Sequence, residues 1–229
     1  SSGPKGKLMH NKFIIIDGEW VWTGSFNTTD NGSYKNNNNS ILIHSPKLAE
    51  NFIDEFNEMF VDKLFGYRSP KSIQYRSIRF PDGTTIRTLF APENGVAKAL
   101  TKEIRKAKKS IYFMAFSFTH DGMGQAMIEK YKDGVQVKGV FEKRGGKSKY
   151  SEYGQLKNAG IQTVQLDRNK YAMHHKVIII DERVTITGSF NFSNNANKRN
   201  DENVLIIDNP RIAKAYINEF QRIYQRDAQ

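Results

Sequence analysis

The 229 residues are 38% hydrophobic and 26% charged, enough apolar content for one large core or two small ones. No apolar run nears the ~20 residues that cross a bilayer, which argues against an integral membrane helix, and the lack of Cys excludes disulfides and thiolate chemistry. The 35 Lys and Arg against 24 Asp and Glu leave a formal charge of +11, which fits a polyanionic partner, either nucleic acid or an anionic membrane surface.

In chain order, Phe13–Asp17 and Trp20–Thr23 read as a hairpin, followed by a polar loop and a strand over Ile41–His44. A helix opens at Ser45-Pro46, where Pro follows a capping residue, and Leu48, Ala49, Phe52, Ile53, Phe56 and Met59 form its core stripe. Phe65–Pro81, with Gly66, Pro70 and Pro81, reads as a joint. Strands over Thr84–Phe90, Ile111–Phe118, Val135–Glu142 and Ile161–Leu166 then alternate with helices over Asn94–Lys109, Gly124–Lys132 and Ser151–Ala159. That alternation predicts an α/β layer fold with a largely parallel sheet. A second hairpin (Val177–Asp181, Val184–Thr187), a strand over Val204–Ile207 and a helix from Asn209-Pro210 close the chain.

The closing elements repeat the opening ones. Shifted by 164 residues, His10–Phe60 falls on His174–Tyr224 without a gap, with 20 identities in 51 positions. The repeat predicts two pseudosymmetric α/β halves, each a mixed sheet flanked by helices. Residues 1–65 form the C-terminal part of the first half, 66–83 a linker, and 84–229 a complete second half. Only nine residues precede His10, and the chain opens "SSGPKGK" without Met or a visible signal peptide. It reads as a fragment whose first half is incomplete, one that a second chain could complete.

Chemistry concentrates in the repeated clusters: His10, Lys12 and Asp17 in one copy, His174, Lys176 and Asp181 in the other. On a strand, His and Lys two apart share a face. Two basic groups side by side call for an anion between them, and phosphate is the natural one. Ser25 with Asn27, and Ser189 with Asn191, follow at the end of the next strand and are expected to contact the same anion. Asp17 and Asp181 lie beside turn residues and are expected to hold the loop or a basic partner. His44 and His120 stand alone and read as structural or surface residues, while His175 faces away from His174 and reads as packed. Lys98–Lys109 reads as a solvated basic face or the flank of a nucleic-acid groove. Lys143, Arg144 and Lys147 follow a strand end, where α/β folds place their sites, and are candidates for phosphate-backbone contacts. The His–Lys pairing is wrong for a cation, so no metal ligands are assigned.

"HNKFIIID…GSFN" and "HHKVIIID…GSFN" resemble the signature HxKxxxxD…GSxN of the phospholipase D superfamily, which occurs twice per active site. The flanks "SIYFMAFSFT", "GVQVKGVFEK" and "SEYGQLKNAGIQ" look like its bacterial nuclease-type branch. Retention of the Asp in both copies is unlike the tyrosyl-DNA phosphodiesterase branch. The compartment stays open from the sequence; a soluble enzyme of bacterial type, cytoplasmic or exported, is expected. The resemblance implies the activity of a metal-independent, cofactor-free phosphodiesterase working through a covalent phosphohistidine at the seam between the halves. It also implies a side chain behind each imidazole, 28 residues past the His: Asn38 and Glu202. Glu202 behind His174 is then expected to favour a protonated general acid, and Asn38 behind His10 a neutral nucleophile. A second reading makes Asn38 simply part of the loop run Asn36–Asn39. Lys12, Lys176, Asn27 and Asn191 are expected to stabilise the phosphoryl oxygens. The leading expectation is an endonuclease acting on DNA or RNA. The alternatives are a phospholipase D or phosphatidyl transferase, for which only Trp20 and Trp22 offer apolar contacts, and an inert nucleic-acid-binding module.

Overall fold

The computed structural model describes residues 8–228. Its first part comprises β1 (Phe13–Ile16), β2 (Trp20–Gly24), α1 (Asp30–Tyr34), β3 (Ser40–His44) and α2 (Pro46–Phe60). A 3-10 turn at Gly66–Arg68 leads to β4 (Ser77–Arg79), β5 (Thr85–Ala91), α3 (Val96–Arg105), β6 (Ser110–Ala115) and α4 (Asp121–Lys132). Then come β7 (Gln136–Phe141), α5 (Lys143–Gly146), α6 (Glu152–Asn158) and β8 (Val164–Leu166). The second copy closes the chain with β9 (Lys176–Ile180), β10 (Val184–Gly188), α7 (Asn194–Lys198), β11 (Glu202–Asp208) and α8 (Pro210–Ala228).

Each copy starts as a tight hairpin whose turn residues adopt left-handed conformations, Asp17 (φ 53) and Gly18 (φ 68) in one, Asp181 (φ 53) and Glu182 (φ 55) in the other. β1-β2-β3 form a three-stranded antiparallel sheet. The second sheet has eight strands in the order β4-β5-β11-β10-β9-β6-β7-β8. Only β6-β7 and β7-β8 pair in parallel, so the sheet is mixed and not largely parallel. A tight hairpin joins β9 to β10 and a loop carrying α7 returns the chain as antiparallel β11, whereas helical crossovers deliver the parallel neighbours.

Local chemistry explains where the predicted elements shift. The helix expected from Asn94 begins at Val96, because the Asn94 side chain turns back to accept a hydrogen bond from Phe90 N at 2.8 Å. Short helices α1 and α7 occupy the loops predicted as plain polar, capped by Thr29 and Ser193, whose hydroxyls accept from Gly32 N (3.1 Å) and Ala196 N (3.2 Å). The joint contains β4, which extends the larger sheet at its edge.

α2 packs Leu48, Ala49 and Phe52 into a core shared by both sheets, with Val21 and Ile43 on one side and Ile86, Phe90, Leu205 and Ile207 on the other. α8 covers β9, β6 and β7 through Ala213, Tyr216, Phe220 and Ile223. The opposite face of the large sheet buries Ile178, Ile180 and Ile206 under α3 and α4. Their counterparts in the small sheet, Ile14 (48% exposed), Ile16 (43%) and Leu42 (52%), have no such cover among the described residues. Among those residues no helix is long and apolar enough to cross a membrane.

Candidate active site

The two repeats dock so that each half holds the start of the other half's His-x-Lys strand. His10 N donates to Asp201 O at 2.9 Å, and His174 N donates to Asn37 O at 2.7 Å. The loop before β3 therefore lies behind His174, and the start of β11 lies behind His10.

This crossing corrects the expected pairing of the imidazoles. Glu202 stands behind His10, with Oε2 2.7 Å from His10 Nδ1, and not behind His174. Asn38 stands behind neither imidazole; its amide donates to Gly32 O (2.8 Å) and Asn36 O (3.3 Å) inside its own loop. An offset counted along one copy cannot reveal which half supplies the support. Glu202 is fully buried and also accepts from Ser189 Oγ (2.7 Å) and Asn200 Nδ2 (3.1 Å). Since a carboxylate only accepts, it fixes the His10 proton on Nδ1 and leaves the Nε2 lone pair free. His174 Nδ1 lies 2.9 Å from the Ser25 carbonyl, which likewise fixes its proton on Nδ1. His174 Nε2 sits 3.3 Å from Lys176 Nζ.

The two lysines curl alike, Lys12 Nζ donating to His10 O at 2.9 Å and Lys176 Nζ to His174 O at 3.0 Å. Burial lowers the Lys12 ammonium to about 8, partly offset by Glu202. Burial and then Lys12 push Lys176 well below its usual range. Burial, then Lys176, Lys12 and His10, depress the His174 imidazole to about 3 against the opposing pull of the Ser25 carbonyl. Lys12 and His10 of one half thus lie within electrostatic reach of His174 and Lys176 of the other, and these four basic groups, with the Glu202 carboxylate near them, mark one candidate anion locus at the seam. Phe116 walls it, with its ring centroid 4.6 Å from that of His174 and 4.8 Å from Lys176 Nζ. The locus can hold an oxyanion and present a lone pair to it from either side.

The remaining expectations divide. Ser25 and Ser189 are fully buried behind the imidazoles, where their hydroxyls accept from Asn39 N (3.1 Å) and Asn203 N (2.9 Å), so they do not face the anion locus. Asn27 is partly buried, and Asn191 keeps a buried amide oxygen without a partner among the described residues. Asp181 holds a turn as expected, accepting from the backbone N–H groups of Lys108, Lys109 and Ser110 at 2.7–3.0 Å. Asp17 is exposed. Lys143, Arg144 and Lys147 are exposed on and beside α5, which approaches Phe116 closely at Gly145. His120 caps α4 and His44 lies exposed near Glu19. His175 is buried but not merely packed, since it bonds Asn39 and Glu219. Phe116 escaped the sequence reading, as nothing in its spacing marks it. Asn39, Asn203, Glu55 and Glu219 also escaped, although both pairs stand among the identities of the repeat.

The sequence family described as "Cardiolipin synthase, PLD-like domain" matches residues 2–60 and 100–224. Phospholipase D of Rickettsia prowazekii is 37% identical over 155 residues, covering 67% of this chain and 75% of the relative. Human mitochondrial cardiolipin hydrolase is 35% identical over 127 residues, covering 56% of this chain and 50% of the relative. The crystal structure of Nuc from Salmonella typhimurium, described as a phospholipase D family member, aligns with TM-score 0.58 and 32% identity over 62% of this chain and 95% of that one. Phosphatidylserine synthase of Haemophilus influenzae aligns with TM-score 0.71 over 96% of this chain and 62% of its own, at 13% identity, a likeness of fold alone. The chain belongs to the phospholipase D superfamily and is a phosphodiesterase of that type.

Proposed function

We propose that this protein hydrolyses nucleic-acid phosphodiesters through a covalent phosphohistidine on His10, without a metal ion. The observation that carries the reading is the Glu202 carboxylate 2.7 Å from His10 Nδ1. It orients Nε2 for attack and compensates the positive charge that grows on the imidazole as the N–P bond forms. Lys12, Lys176, Asn27 and Asn191 supply the charge and hydrogen bonds that the phosphoryl oxygens need. His174 is neutral while the site is empty, because burial and three basic neighbours disfavour its cation. A phosphodiester anion among those groups reverses the balance, and protonated His174 then delivers its Nε2 proton to the leaving oxygen. In the second step neutral His174 takes a proton from water, whose oxygen attacks phosphorus and breaks the bond to His10.

Nucleic acid is favoured as substrate by the +11 charge and by the exposed Lys143, Arg144 and Lys147 on and beside α5. A lipid substrate is the second reading, favoured by relatives described as phospholipase D and cardiolipin hydrolase. The apolar hollow nearest His10, of about 590 Å³ and lined by Phe13, Phe56, Met59 and Phe60, includes Asn11 and Phe13. Asn11 turns from the segment leading into β1 toward Glu55 and Met59 of α2, whereas Lys12 curls back to His10 O, so the hollow lies on the α2 side and away from the catalytic groups.

The test is incubation with plasmid, single-stranded DNA, RNA and cardiolipin vesicles in EDTA. Cleavage of nucleic acid that His10→Ala abolishes is the expected result. Turnover of lipid alone supports the second reading, and binding of nucleic acid without turnover supports an inert module.

A further inference from the structure

Beneath the imidazoles run two chains of hydrogen bonds that cross the seam and return. The first starts on α2, where Asn11 Nδ2 donates to Glu55 Oε1 at 2.9 Å. Asn203 Nδ2 of the other half donates to Asn11 Oδ1 at 3.0 Å, and Asn203 N donates to Ser189 Oγ at 2.9 Å. Ser189 donates to Glu202, the carboxylate behind His10. The second starts on α8, where Glu219 Oε1 lies 3.2 Å from His175 Nε2. His175 Nδ1 lies 3.0 Å from Asn39 Nδ2 of the other half, and Asn39 contacts Ser25 Oγ through N (3.1 Å) and Nδ2 (3.2 Å). The carbonyl of Ser25 is the acceptor behind His174. Each chain runs from a helix carboxyl group to the residue after a catalytic His, passes through the opposite half, and ends at the group that orients that same His.

The second chain has one consistent assignment of protons. Asn39 Oδ1 accepts from Thr187 Oγ1 (2.8 Å) and Tyr216 OH (3.3 Å), so its Nδ2 is the donor toward the ring. His175 must then accept at Nδ1 and donate from Nε2 to the Glu219 carboxylate. Glu219 is held in that state: burial pushes it up, but the Arg222 guanidinium and His175 outweigh burial and bring it to about 2. His175 is fully buried, so every polar atom of its ring depends on these partners.

We propose that His175 is a positioning residue for His174, acting across the seam through Asn39 and Ser25. This rests on the reading of His174 as the catalytic acid and base. Its counterpart in the first chain is an amide, Asn11, which links Glu55 to Asn203 with bonds of 2.9 and 3.0 Å. An amide at position 175 therefore suffices to bridge Glu219 and Asn39, whereas an apolar side chain of similar size does not. Without the bridge, Asn39 Nδ2 loses its acceptor on the ring, so the amide keeps only Thr187 and Tyr216 to orient it. Ser25, still held by the Asn39 backbone N, is held less firmly, and the Ser25 carbonyl fixes the His174 tautomer less strictly.

The experiment compares wild type, His175→Leu and His175→Asn in two measurements on the full chain. Long-range 1H–15N NMR of the imidazoles reads the tautomer of His174 without reference to turnover. Hydrolysis of bis(p-nitrophenyl) phosphate reads kcat and KM. Wild type should show His174 with its proton on Nδ1 and His175 with its proton on Nε2. His175→Leu should mix the His174 tautomers and lower kcat by about 10- to 100-fold with KM changed less than about threefold. His175→Asn should restore the Nδ1 tautomer and bring kcat within about threefold of wild type. If circular dichroism shows His175→Leu unfolded, Asn39→Ala breaks the same bond from its other end and is read in the same way. The inference is overturned if folded His175→Leu keeps the Nδ1 tautomer at wild-type kcat, or if His175→Asn is as impaired as His175→Leu. If wild type hydrolyses no phosphodiester while the tautomers respond as described, the catalytic reading fails and the positioning role stands.

Discussion

Glu202 serves three donors at once, His10, Ser189 and Asn200, from a fully buried position. Glu202→Gln keeps the shape but removes the charge that holds the His10 proton on Nδ1, and an amide can present N–H where an acceptor is needed. We expect kcat to fall about 10²- to 10⁴-fold, as for other groups that fix a catalytic imidazole. Asn38→Ala should stay within about twofold of wild type, because its amide serves only its own loop. Steady-state kinetics on one diester substrate compares the two, and equal losses would contradict the assignment of support. The His and Lys residues were legible in the sequence because a strand period of two and an exact repeat point to the same face. The partner behind each His was not, since it is set by how the halves cross and not by spacing within a copy.

At the scale of elements, the repeated Asp tests how far the copies are equivalent. Asp181 caps the turn from α3 into β6 through three backbone amides, while Asp17 at the matching turn is exposed. Asp181→Ala should lower stability by about 1–2 kcal/mol in urea unfolding, and Asp17→Ala by less than about 0.5 kcal/mol. α2 carries a second test. Burial, with Glu93 and Glu58 nearby, raises the Glu55 carboxyl to about 9 against the opposing pull of Asn11. A carboxyl raised in the folded state contributes stability that is present at low pH and is lost as pH climbs toward 9. Glu55→Gln removes that loss, so between pH 5 and 8 its urea midpoint should fall less than that of wild type. The difference should not exceed the ~1.4 kcal/mol per pH unit that one proton allows. Parallel pH profiles would contradict a protonated Glu55. The long periodic elements, α2, α8 and the hairpins, were legible from their apolar spacing. α1, α7 and β4 were not, because five residues or fewer carry too little periodicity to stand out from a polar loop.

Across the whole molecule, one duplicated unit builds a site that neither copy holds alone. The repeat in the sequence foretold two halves, and the docking of one half against the other places both imidazoles, both lysines and a single carboxylate around one locus. The strand–helix alternation foretold the α/β class but overstated parallel pairing, which is confined to β6-β7-β8. The duplication is also unequal, since the small sheet leaves Ile14, Ile16 and Leu42 exposed where the large one is covered. At the site the inequality takes the form of a carboxylate behind one imidazole and a backbone carbonyl behind the other, the difference on which the proposed division of labour between the two histidines rests. The direct measurement is to quench a turnover of a diester substrate under alkaline conditions, which preserve phosphohistidine, and to map the modified residue by mass spectrometry. Phosphate is expected on His10, accumulating in His174→Asn and absent in His10→Asn. Phosphate on His174, or turnover with no phosphohistidine at either position, would contradict that expectation.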